Sequence, residues 1–77
     1  GLVRLRWTAS TSSDVAFYRV YRDGTTARDR YATTAAGDTG YVDREGRGER
    51  HRYWVVAVDD QLAESARVGP VDVGSAP

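Results

Sequence analysis

The sequence predicts an all-β fold, a sandwich of two antiparallel sheets. Three observations lead there. Tyr53 to Asp59 is the longest apolar run, rich in β-branched and aromatic residues and closed by Asp59-Asp60, which reads as a central strand. Leu2 to Thr8 and Ala16 to Arg22 alternate with a period of two. Turn-forming residues separate short apolar segments along the chain, and no helical periodicity interrupts them.

The first segment, Leu2 to Thr8, places Val3, Leu5 and Trp7 on one face and Arg4 and Arg6 on the other, a half-buried antiparallel strand. Ala9 to Asp14 is rich in Ser and Thr and carries turn chemistry. In Ala16 to Arg22, Tyr18 and Val20 share one face while Phe17, Arg19 and Tyr21 share the other. Asp23-Gly24 is a tight-turn signal. Thr25 to Ala35 alternates weakly and bears Arg28, Asp29 and Arg30, the pattern of a charged edge strand. After a turn at Gly37-Asp38 comes a short strand, Thr39 to Asp43, around Tyr41. Arg44 to Arg50 reads as a solvated loop, with two glycines and five charged residues. The central strand starts near His51. Asp60 to Glu64 is the next loop and Ser65 to Val73 the last strand, where Pro70 implies an edge or a bulge. Gly74 to Pro77 has linker composition, which puts the sandwich at residues 1–73 and the start of a C-terminal linker at 74–77.

Trp7, Tyr18, Val20, Tyr53, Val55 and Ala57 are the expected core, because alternation aims them inward in three separate segments. A chain of 77 residues is one small domain. It buries about 60% of its unfolded surface, so its core stability is marginal. With no cysteine, neither a disulfide nor a thiolate metal site staples it. Eleven basic and eleven acidic side chains balance, which argues against a non-specific nucleic-acid surface or membrane surface. No apolar run approaches the roughly 20 residues of a membrane-spanning helix.

Val3-Arg4-Leu5-Arg6-Trp7-Thr8-Ala9-Ser10, then Ser13 to Gly24, then Tyr53 to Asp59 with Glu64-Ser65, together resemble a fibronectin type III domain. The version most alike is the one attached to secreted bacterial enzymes that act on polysaccharides. The resemblance covers nearly the whole chain and implies an immunoglobulin-like sandwich of seven strands. In it Leu2–Thr8 corresponds to strand B, Ala16–Arg22 to strand C, Thr39–Asp43 to strand E, His51–Asp59 to strand F and Ser65–Val73 to strand G. Three departures stand out. The chain starts at strand B, so strand A is expected to be missing and strand B to be an open edge. His51 stands where the family carries the tyrosine of the tyrosine corner, after a loop about one residue short. Phe17 occupies a position often filled by glycine.

The candidate chemistry is sparse. His51 is the one histidine, with no identifiable Ser or Cys nucleophile and no further metal ligands at suitable spacing. Asp59, Asp60 and Glu64 cluster at one loop, yet calcium needs six to eight oxygen ligands, and glycoside hydrolysis needs two carboxylates facing across a cleft. Neither requirement is met by neighbours at a strand end, so no catalytic residue, metal site or cofactor is expected. Arg44, Arg47, Arg50 and Arg52 form a basic run diluted by Glu45 and Glu49, read as a solvated loop. The informative feature is the second face of the two central strands. If Tyr18, Val20, Tyr53, Val55 and Ala57 point inward, then Phe17, Tyr21, Trp54, Val56 and Val58 gather on the outer face. Phe17, Tyr21, Trp54 and Val56 are therefore the candidate binding residues. The alternative is cross-strand pairing that stabilises the sheet alone.

The expected function is a non-catalytic spacer or accessory module of a larger extracellular, carbohydrate-active protein, whose partners are neighbouring domains of the same polypeptide. The alternative is a dedicated module that binds a protein or polysaccharide through the outer aromatic face.

Overall fold

The computed structural model describes residues 2–44, 51–68 and 71–76. The side chains of residues 66, 67, 72, 75 and 76 are outside that description. Among the described residues seven strands follow in order: β1 (Leu2–Trp7), β2 (Val15–Arg22), β3 (Arg30–Ala35), β4 (Gly40–Asp43), β5 (Tyr53–Asp59), β6 (Glu64–Val68) and β7 (Val71–Ala76). They form a three-stranded sheet in the order β4-β1-β7 and a four-stranded sheet in the order β3-β2-β5-β6. Every pairing is antiparallel. Among the described residues the one helical element is a 3₁₀ turn, Ala27–Asp29. The protein is a β-sandwich, as the alternation predicts.

The core lies between the sheets. Leu5 and Trp7 of β1 meet Tyr18 and Val20 of β2 and Tyr53, Val55 and Ala57 of β5, all buried. Each of these side chains has the inward parity set by alternation along its own strand. Trp7 and Tyr18 pack edge to face with centroids 5.6 Å apart, a favoured aromatic geometry. The Tyr18 hydroxyl accepts the Ser10 N–H at 2.9 Å, which ties the β1–β2 loop to the core.

Four expectations are corrected. Strand β1 is not an edge: β4 pairs with one side of it and β7 with the other. The C-terminal segment supplies the second partner, so the backbone groups of β1 are satisfied within the chain. The last strand is not one element. Its halves, β6 and β7, belong to different sheets. β6 ends at Val68 and β7 starts at Val71, and the bulge expected at Pro70 falls outside the described residues. Residues Gly74 to Ala76 continue β7 opposite Leu2 to Arg4, beyond the boundary at which a linker was expected. Lastly, Thr25–Asp29 is not strand. Asp23 adopts a positive φ of 67°. The Asp29 carboxylate then accepts the Thr26 N–H at 3.0 Å and its hydroxyl at 2.6 Å, closing a turn before β3 begins. Strand β3 is nonetheless an edge strand, as its charges suggested.

Candidate functional site

The outer face of β2 and β5 carries the candidate residues. Their register places Tyr21 opposite Trp54, Arg19 opposite Val56 and Phe17 opposite Val58. Phe17, Tyr21, Trp54 and Val56 thus come together, as parity and pairing demand. They form a second apolar cluster separate from the main core: Tyr21, Val56 and Val58 are buried, with Phe17 and Trp54 half-buried against them. Tyr21 keeps 3% of its surface and Val56 6%, too little for either to be a contact surface as it stands.

Charged side chains cover this cluster. Arg19 donates to Glu64 Oε2 at 2.6 Å, and the Tyr21 hydroxyl donates to the same oxygen. Arg30 Nε donates to the Tyr21 hydroxyl at 3.2 Å, and its guanidinium lies 3.8 Å from Glu64. The Arg19 guanidinium also sits 5.5 Å from the centre of the Phe17 ring, within cation–π range. The hydrogen bond from Tyr21, helped by those from Arg19 and by nearby Arg30, holds the Glu64 carboxyl below its usual range against the opposing effect of burial. Glu64 is therefore committed to this lattice. It stands, as expected, at the same loop as Asp59.

The carboxylates of this loop have separate bonding partners. Asp59 Oδ1 accepts the N–H groups of Gln61 and Ala63, both at 2.9 Å, and so builds the β5–β6 turn. Asp60 is exposed. Among the described residues no group of three His, Cys, Asp or Glu side chains is arranged to hold a metal ion. A small concavity of about 170 Å³ lies beside this turn, lined in part by Asp14, Asp59, Glu64 and Ser65. A more open groove of about 570 Å³ runs between β3 and the β1–β4 pair.

His51 lies at the start of the central strand. Its Nδ1 is 2.6 Å from Asp23 Oδ2. Asp23 also accepts the Arg52 N–H at 3.0 Å and donates its own N–H to the Arg52 carbonyl at 2.7 Å. The hydrogen bond from the Arg52 backbone, then the one involving His51, draws the Asp23 carboxyl below its usual range. The pair fastens the β2 exit to the β5 entry. Of the basic run, Arg44 and Arg52 are exposed, while Arg47 and Arg50 lie outside the described residues.

Sequence reasoning missed a buried carboxylate that three side chains bond. Asp43, the last residue of β4, is wholly buried. Its Oδ1 accepts the Tyr31 hydroxyl at 2.6 Å, while its Oδ2 accepts the Tyr53 hydroxyl at 2.6 Å and Arg22 at 3.1 Å. Arg22 lies 3.9 Å above the Tyr31 ring. Burial, reinforced by the hydrogen bond to Asp43, pushes the Tyr53 phenol well above its usual range. For Arg22, burial opposes the charge, but the Asp43 hydrogen bond and the surrounding negative field outweigh it and raise the pKa. One carboxylate of the three-stranded sheet thereby binds β2, β3 and β5 of the other. The signal was parity: Asp43 shares a face with Tyr41, and Arg22 shares one with Tyr18 and Val20.

No family model, curated protein or solved structure matches this chain.

Proposed function

We propose that the chain is a fibronectin type III-like module that acts as a non-catalytic spacer in a larger extracellular, carbohydrate-active protein, holding neighbouring domains apart and orienting them. The observation that carries the spacer reading is the state of the outer β2–β5 face. Tyr21, Val56 and Val58 are buried there, and the chain's own Arg19 and Arg30 bond with Glu64 and the Tyr21 hydroxyl across it. A dedicated binder would present its aromatics to water instead. Two features support the family reading. The pairing of β1 with β4, and the run β2-β5-β6, match the B–E and C–F–G neighbours of immunoglobulin-like sandwiches. The alternating segments that carry the resemblance become β1, β2 and β5.

A second reading rests on Phe17 and Trp54. They remain half-buried at opposite ends of this face, Phe17 opposite Val58 and Trp54 opposite Tyr21, and each offers an aromatic edge to a protein or sugar. One experiment separates the two. The purified chain and its Trp54→Ala variant are incubated with insoluble cellulose, chitin and xylan while tryptophan emission is followed. A spacer stays in the supernatant with unchanged emission. Retention of the parent chain that the variant loses would make this face a sugar-binding site and end the spacer reading.

A further inference from the structure

Among its described residues, strand β7 adds little side-chain packing to its backbone pairing. It lies at the outer edge of its sheet, paired with β1 from Leu2↔Ala76 to Trp7↔Val71. The two partners contribute unequally to the core. Leu5 and Trp7 of β1 are buried at its centre. Of the described β7 side chains, Val71 packs on the core from a half-buried position, while Val73 leaves 54% of its surface in water opposite Leu5. Gly74 adds no side chain, and a Cβ there would meet nothing within 4 Å. A backbone ladder of this kind can be made equally well by the same strand of another molecule.

We propose that β7 exchanges between two copies of this chain. The β7 of each copy pairs with β1 of the other in the register seen here, giving a two-fold symmetric dimer. Two arguments support this. The exchanged dimer makes the same β1–β7 bonds as two closed monomers, so its cost is mainly the entropy of association and falls as concentration rises. When β7 leaves, the N–H and C=O groups of β1 are bared beside Leu5 and Trp7, a sheet edge that readily takes a strand. The proposal is independent of the spacer reading, since it needs no ligand and no second domain.

The chain has no cysteine, so introduced thiols report cleanly. Arg6 is exposed and is the register partner of Asp72. The Arg6→Cys and Asp72→Cys variants are mixed, unfolded, refolded together at high concentration and oxidised. Exchange predicts a disulfide-linked pair of unlike chains in several-fold excess over either like pair. In parallel, light scattering on the parent chain should show the mass rising from one chain towards two with concentration. The double variant Arg6→Cys/Asp72→Cys, closed by its own disulfide in dilute solution, should stay monomeric throughout. A parent chain that remains monomeric at every concentration overturns the proposal. So does a dimer with statistical cross-linking, or one that the closed double variant still forms, because either would be an ordinary surface contact.

Discussion

At the scale of single residues, Asp43 decides more than any other polar group. A buried carboxylate is tolerated because four elements converge to satisfy it: β4 supplies the charge, and Arg22, Tyr31 and Tyr53 supply donors from β2, β3 and β5. Removing it strands a guanidinium and two hydroxyls at the end of the sandwich. Asp43→Ala should therefore destabilise the fold by about 3 kcal/mol or more, in the range for breaking a buried charge pair. Tyr53→Phe removes one donor and leaves the bonds from Arg22 and Tyr31 in place, so it should cost about 1–2 kcal/mol. Urea unfolding of the two variants checks the ranking. Equal losses would mean that the carboxylate is no more than one hydrogen bond's worth of structure.

At the scale of elements, the β5–β6 turn shows local chemistry prevailing over propensity. Asp59 closes it through its side chain, while Leu62 sits at a positive φ of 67° with 65% of its surface in water. A left-handed conformation costs a leucine roughly 1–2 kcal/mol, and this one recovers little by burial. Leu62→Asn should raise stability by roughly 0.5–1 kcal/mol, since asparagine adopts that region more readily. The thermal midpoint measures it, and a lower midpoint would show that Leu62 contributes packing. On the same hairpin, the register between β5 and β6 shifts between Val56 and Val58. There Ser65 Oγ accepts the Ala57 N–H at 3.1 Å, giving the displaced amide a partner.

At the scale of the whole molecule, lowered carboxylate pKa values make stability depend on acid. Glu64 titrates below its ordinary 4.5 when folded, and Asp23 and Asp29 below 3.8. Across that window the unfolded chain binds more protons than the folded one, so stability rises with pH there. The contribution of Glu64 is fully present above 4.5 and is lost as the pH falls through its folded value. A series of urea midpoints from neutral to acid pH should decline below that point. Glu64→Gln should flatten part of the decline, because it removes the titrating group at the centre of the outer lattice. An unchanged acid slope in that variant would place the linked protons elsewhere.

The sequence by itself determined the fold class, the central strands and the inward set Trp7, Tyr18, Val20, Tyr53, Val55 and Ala57. Those follow from parity, a property of each strand taken alone. Parity also gathered Phe17, Tyr21, Trp54 and Val56 on one face. Only the tertiary structure decided what covers that face, because Glu64 reaches Arg19 and Tyr21 across 45 and 43 positions of sequence. The same holds for the partner of β1. Alternation says which way a side chain points but not which strand lies alongside, and β7 reaches β1 from the far end of the chain. Asp43 stands between the two cases. Its inward direction was legible from Tyr41, but its donors Arg22, Tyr31 and Tyr53 sit on three strands of the other sheet, and their convergence is a fact of packing.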